Sequence, residues 1–459
     1  MFRIHAGQSG PYCDGMTRRS FVQLGVAGMA SVGLPQILRA KEESQALGRA
    51  KKDTSVIMLW LDGGPSHMDL YDLKPEAPAE YRGLWNPIRT NVPGMEISEL
   101  FPRQAKIADK FSIIRSLHHD NGDHFTGGHY MLTSRGGASG ANTAGRNPSI
   151  GSIASKVLGA RRPGMPAYVA VPIAASIGLR PGYFGANYLG MSHNPFETNG
   201  DPNAANFQVD NIQLANAMTV ERLEDRRGLL AHFDRMRREL DTSGTMDSMD
   251  RFERSAYDMV VGGAARKAFD LTQEDPATRD RYGRTSWGQS TLLARRLVEA
   301  GTTFVTVHMG GWDNHWDLKN AMQSYLPQVD MAFSSLITDL SDRGLLDKTL
   351  VMICGEFSRT PRMNNGGNGG PPGSMGTPGR DHWGNAMFTV LAGGGTRGGQ
   401  IVGSTNRLGE SPVDRPLEPC DLHATIYHLL GIDPTVHFLD HGGRPTPAID
   451  RGEVIRELV

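Results

Sequence analysis

Several side chains of types that hold metal ions or move protons stand in this sequence where an apolar run ends. In TLVMICGEFSRTP, residues 349–361, an aliphatic stretch stops at Gly355 and delivers Glu356, with Arg359 close behind. VIMLWLDGGPSH delivers Asp62 in the same way, and TFVTVHMGGWDNHWD delivers His308, Asp313 and His315. GRDHWG adds Asp381 and His382 after a glycine-rich stretch. Carboxylates and imidazoles without thiolates suit zinc, manganese, calcium or magnesium, at one centre or two. Asp313 and His315, two apart in an extended segment, would face the same way, enclosed by Trp312 and Trp316. A histidine-rich stretch, LHHDNGDHFTGGHYMLTSR, supplies His118, His119, His124 and His129, with Thr126 beside His124.

Each of these residues also has an ordinary structural reading. Asp62-Gly63-Gly64-Pro65 is a common turn, and Glu356 could pair with Arg359 or Arg362. Ser66 lacks the G-x-S-x-G setting of a hydrolase serine.

To converge, these side chains need a scaffold whose strands end together. The apolar runs at 54–62, 111–117, 167–172, 302–309, 349–354 and 386–394 read as strands. Between several of them lie helical patterns, such as TSWGQSTLLARRLVEAG with its stop at Gly301 and the pattern from Ser324 to Gly344. That alternation predicts an α/β fold: a mostly parallel central sheet covered by helices on both faces. In such a sheet, ligands bind beyond the carboxyl ends of the strands. Residues of about 190–285 differ. The charged, amphipathic ERLEDRRGLLAHFDRMRREL predicts an inserted helical cap. Residues 364–380, NNGGNGGPPGSMGTPGR, cannot pack a core and read as a loop.

At 459 residues the chain can bury a large core. Lys+Arg 48 against Asp+Glu 49 leaves a formal charge of −1, which argues against a nucleic-acid partner held by bulk electrostatics. With only Cys13, Cys354 and Cys420, no disulfide framework or thiolate zinc site is available. Near the start, Arg18 and Arg19 precede a weakly apolar stretch and Ala40, the pattern of a twin-arginine export signal. The stretch is too polar and too broken by glycine and proline to span a bilayer. Residues 1–45 are therefore expected to be signal and linker, with the start at Met1 or Met16, and residues 46–459 the exported domain in the periplasm or another extracytoplasmic space.

The order of the pieces carries a resemblance. SDRGLLDKTLVMICGEFSRTP, CDLHATIYHLLGIDP and GGHYMLTSR are similar to sulfatase segments occurring in the same order, with Asp62 ending the first strand. The chain thus resembles the alkaline phosphatase and sulfatase superfamily. More closely, LDGGPSHMDLYDLKP, GGWDNHWD, GEFSRTP, GRDHWGNA and PCDLHATIYHLLGI together resemble the bacterial family called domain of unknown function 1501. The resemblance implies an alkaline-phosphatase-like fold. Asp62 then matches the first-strand metal aspartate, Glu356 the acidic ligand after the later strand, and His382 the following ligand histidine, with Asp313 and His315 similar to the phosphatase Asp and His pair. Where sulfatases carry a Cys or Ser nucleophile, this chain has His124, with Thr126 nearby, and no cysteine that could become formylglycine.

The expected function is hydrolysis of a phosphate or sulfate ester, small or polysaccharide, with one or two divalent ions held by Asp62, Asp313, His315, Glu356, Asp381 and His382. Arg359 would balance oxyanion charge, and His124 would serve as nucleophile or general acid, with Thr126 as a second hydroxyl candidate. Two other classes stay open: a metal-containing extracytoplasmic binding protein that has lost its nucleophile, and a phosphomutase or isomerase that would load Thr126.

Overall fold

The computed structural model describes residues 53–137, 146–209, 256–366 and 377–459, with residues 212 and 222. The twin-arginine stretch, ERLEDRRGLLAHFDRMRREL apart from Arg222, and the middle of the glycine-rich stretch lie outside the described residues.

The first strand shows why the apolar runs form a two-faced sheet. All eight residues of β1, Ser55–Asp62, are buried. Ile57, Leu59 and Leu61 enter one hydrophobic core, while Val56, Met58 and Trp60 enter another on the opposite face. A strand with period-two side chains and no solvent face must sit at the centre of a covered sheet. β1 is flanked on both sides by parallel partners, β5 (Phe304–Gly310) and β6 (Thr349–Cys354). The remaining members of the sheet are β2 (Phe111–Leu117), β3 (Tyr168–Val171), β4 (Phe196–Glu197), β9 (Met387–Ala392) and β10 (Gln400–Val402). A separate two-stranded pair joins β7 (Ser358–Arg359) to β8 (His382–Trp383).

The eight strands lie in the order β10-β2-β9-β6-β1-β5-β3-β4. Only β9 runs against the rest, antiparallel to both β6 and β2. The fold is thus mixed α/β with a large, mostly parallel central sheet, as the sequence pattern implied.

Helices cover both faces. α1 (His124–Thr133), α2 (Ile150–Leu158) and α5 (Pro419–Leu430) contribute Met131, Ile153 and Leu422 to one core. α3 (Ser286–Ala300) and α4 (Leu318–Asp342) contribute Leu293, Leu297, Phe333 and Ile337 to the other. α3 ends at Gly301, which caps it in the left-handed region at φ 114. α4 begins at Leu318, earlier than its apolar spacing announces, and keeps Pro327 inside its early turns. Within the 190–285 stretch, Phe196–Glu197 joins the sheet edge beside Val169 and Ala170, and Ala264–Phe269 and Pro276–Tyr282 are helical.

Candidate metal centre

Five loops and one helix start meet above the carboxyl ends of β1, β5 and β6. Asp123 caps α1 by accepting from the backbone N–H of Phe125 and Thr126, which places His124 at the first helical position. Gly127, one turn further in, lets α1 lie against the Glu356 segment. A Cβ there would stand 3.1 Å from the Glu356 carbonyl oxygen. Hence His124 Nδ1 reaches Glu356 Oε1 at 2.8 Å across 232 residues of sequence.

Three histidines share one arrangement. His124 Nδ1 faces Glu356 Oε1, His315 Nδ1 faces Asp381 Oδ1 at 2.7 Å, and His382 Nδ1 faces the Gly122 carbonyl oxygen at 2.8 Å. Each Nδ1 therefore donates to an oxygen, and in the neutral ring this leaves a lone pair on Nε2. All three Nε2 atoms are directed at Asp313. His315 Nε2 lies 3.0 Å and His382 Nε2 3.1 Å from its Oδ1, and His124 Nε2 lies 3.5 Å from its Oδ2. The Nε2 atoms of His315 and His382 are themselves 3.0 Å apart. Lone pairs held this close repel unless a proton or a metal ion sits among them.

That geometry fits a metal ion. Ligand atoms about 2.1 Å from a common ion are separated by about 3 Å in octahedral and slightly more in tetrahedral geometry. The separations of the two Nε2 atoms and Asp313 Oδ1 match. His124, Asp313 and His382 each offer one donor atom within 4.8 Å of the others. Among the described residues, His124 Nε2 and Glu356 Oε2 are buried without a hydrogen-bond partner. Imidazoles fixed from behind by carboxylates and a carbonyl are the usual outer support of such a site.

The charges respond to the same crowding. Burial lowers the His124 pKa, but the carboxylates of Asp313 and Glu356 outweigh it and lift it to about 9. Asp313 is pushed up by burial yet held far below the usual carboxylate range by the three histidines and Arg359. His315 is raised, chiefly by Asp313, whereas burial lowers His382. Glu356, fully buried, is raised by burial and by the Asp62 charge against the pull of His124.

Asp62 lies on the other side of this group. Its Oδ2 accepts the Ile177 N–H at 2.7 Å and faces His308 Nε2 at 3.1 Å. Glu356 Oε1, which also accepts the Gly63 N–H at 2.8 Å, stands between the two halves. Arg359 is buried, and its guanidinium donates to the Gly63 and Gly64 carbonyl oxygens, to the Arg380 carbonyl oxygen and to Asp313 Oδ1 at 2.5 Å. Thr126 turns its hydroxyl back to Asp123. Ser66 gives its hydroxyl to Asp69 at 2.5 Å. Asp313, His315, Asp381, His382, His124 and Glu356 thus form one connected group with Arg359. Asp62 adjoins it through the Gly63 backbone, and Thr126 makes no hydrogen bond to it.

Two local expectations need correction. Residues 312–315 are not extended: Asn314 N–H bonds to the Trp312 carbonyl and His315 N–H to that of Asp313, so the segment winds tightly. Trp312 does not enclose the pair either. It is fully buried and stacks on Trp287 in the α3–α4 core, with ring centroids 5.8 Å apart, while Trp316 does stack on His315.

Sequence reasoning missed the supports of the group. His119 Nε2 meets the Glu356 carbonyl oxygen at 2.7 Å. Arg380, fully buried, pairs with Asp69 at 2.9 Å and donates to the carbonyl oxygens of Thr360 and Arg82. A charged residue next to two candidate ligands, as in G-R-D-H, was the available signal for Arg380.

Solved structures similar to this chain include the PsFucS1 sulfatase from Pseudoalteromonas sp., with 14% identity over 87% of this chain and 71% of that one, at a TM-score of 0.34. The phosphonate monoester hydrolase SpPMH from Silicibacter pomeroyi shows 12% identity over 87% and 75%, at 0.35. The alkaline phosphatase from the Antarctic bacterium TAB5 shows 12% identity over 76% and 94%, also at 0.35. No curated protein matches the chain in sequence. The profile of Protein of unknown function (DUF1501) matches residues 53–459, every described strand and helix of the fold, and the chain belongs to that family.

Proposed function

We propose that the protein is an exported, metal-dependent hydrolase of phosphate or sulfate esters. The observation that carries the reading is the convergence of three Nε2 atoms on one carboxylate, each ring fixed through Nδ1. His124, His315, His382 and Asp313 would hold one divalent ion, with Glu356, Asp381 and the Gly122 carbonyl orienting the rings. Three imidazoles favour zinc over manganese, calcium or magnesium. Asp62, His308 and the unpartnered Glu356 Oε2 are the donors for a second ion. The bound ion would supply Lewis acidity toward a phosphoryl or sulfuryl oxygen and a nucleophile at neutral pH. Arg359 balances the charge of Asp313 from behind. His124 Nε2 would carry a proton, as a general acid needs, only where the ion does not take that lone pair. The family-like motifs and the signal pattern at Arg18 and Arg19 support action outside the cytoplasm.

One observation favours a second reading, a metal-containing binding protein without turnover. Among the described residues no hydroxyl or thiol hydrogen-bonds to the side chains of His124, Asp313, His382 or Glu356, and Cys354 is buried in the core. Elemental analysis of the purified protein beside an Asp313→Ala, His382→Ala double variant tests the centre. Stoichiometric metal in the parent and none in the variant is expected, together with loss of aryl phosphate or sulfate hydrolysis. A parent that stays metal-free after incubation with zinc and manganese overturns the centre, and full loading without turnover on any ester supports the binding protein.

A further inference from the structure

A cavity of about 780 Å³ opens between the segment that follows β3 and the C-terminal hairpin of His437–Leu439 and Pro445–Pro447. Its wall combines rings with planar polar groups. Tyr188, half-buried, contributes aromatic surface and meets His441 edge to face at 6.3 Å, with buried Phe184 behind the wall. His441 Nε2 lies 2.8 Å from Asn187 Oδ1. Arg180 contacts both oxygens of Glu197, at 2.5 and 2.6 Å, and Arg444 pairs with Asp440 at 2.9 Å. Both guanidinium groups still face solvent, with side chains 58% and 83% exposed. Arg146 adds a third, with no carboxylate paired to it among the described residues. Three guanidinium groups against two carboxylates leave the wall with a surplus positive charge.

This is the chemistry of a sugar site with a charged substituent. Sugar rings lay their apolar faces on aromatic rings and their hydroxyl edges on planar amides, carboxylates and guanidinium groups. A guanidinium fork matches a sulfate or carboxylate. We propose that the cavity takes an anionic oligosaccharide, sulfated or carboxylated, of roughly two to three rings, a size that fits the 300–1,000 Å³ of ordinary ligand sites.

The segment that lines the cavity also reaches the candidate metal centre. Ile177 N–H bonds to Asp62 Oδ2, and Tyr183 packs on α1 where a Cβ at Gly128 would stand 2.6 Å from its Oη. The inference that the bound sugar is substrate therefore rests on the hydrolase reading, whereas binding in the cavity does not.

Calorimetric titration separates the two. The probes are chondroitin, heparan and sulfated-galactan tetrasaccharides, each beside its desulfated form, with inorganic sulfate alone as a further probe. The parent is expected to bind at least one of the sulfated or carboxylated tetrasaccharides tenfold or more tighter than the neutral desulfated galactan. The exposed pair Arg146→Ala, Arg444→Ala should weaken that binding at least tenfold, and Tyr188→Ala should weaken it too. The Asp313→Ala, His382→Ala variant should bind like the parent even if it hydrolyses nothing. No saturable binding of any tetrasaccharide, or full affinity in the arginine double variant, overturns the proposal. So does a loss confined to the Asp313→Ala, His382→Ala variant, or inorganic sulfate binding as tightly as the sugars.

Discussion

Asp313 is the residue on which the site turns, and its place depends on a neighbour with no side chain. Gly63, with φ at 117, sits where a Cβ would stand 2.4 Å from the Asp313 nitrogen and 2.8 Å from the Trp312 carbonyl carbon. Both contacts are backbone, so no rotamer can relieve them. Gly63→Ala should cost about 2–4 kcal/mol of stability from the disfavoured φ and the overpacking together. It should also shift the 312–315 turn and so weaken metal retention. Urea denaturation with elemental analysis of the same sample checks both, and an unchanged midpoint would show that the loop yields freely.

At the scale of elements, α1 carries His124 and is tied to α5 by one buried histidine. His423 on α5 faces the Met131 carbonyl oxygen of α1 through Nε2 at 2.8 Å. Burial, only partly offset by that bond, lowers its pKa to about 4. The unfolded chain, with an ordinary histidine near 6.5, binds the proton first as pH falls. Stability from this group is therefore full above about pH 6.5 and is lost progressively down to about pH 4, by about 3 kcal/mol. His423→Gln keeps the donor and removes the titration. The difference in unfolding free energy between parent and variant should change by that amount across the window, and a constant difference would contradict the sign argued here.

Much of this scaffold was legible because burial on both faces writes itself as unbroken apolar runs. Phe111–Leu117 and Thr349–Cys354 have the bounds their composition announces. The reversed direction of β9 was not legible, since its six residues are buried in either orientation. The candidate ligands at Asp313, His315 and His382 were picked out by type and by strand-end position. Their partners were not: that His124 meets Glu356 and His308 meets Asp62 depends on pairings across 232 and 246 residues, for which local sequence holds no signal. Arg359 read as a group for substrate charge, yet its bonds to the Gly63 and Gly64 carbonyl oxygens depend on how the β1 and β6 loops cross.

For the molecule as a whole, the residues from Asp53 onward form one compact unit, and the signal pattern precedes it in sequence. If the twin-arginine reading holds, transport fails when the pair is conservatively changed. Arg18→Lys with Arg19→Lys should leave the chain in the cytoplasm, as read by cell fractionation, while wild-type protein reaches the periplasm. Equal periplasmic yield from both would remove that route.

The central strand has a further consequence during synthesis. Val56 of β1 waits for Phe304 on one side and Leu350 on the other. At about 5–20 residues per second, the first of these partners leaves the ribosome on the order of ten to fifty seconds later. Through that interval a strand built to be buried on both faces has both edges open, which is the condition for pairing with a stranger. The nascent chain therefore needs something to cover this strand until residue 304 has been made.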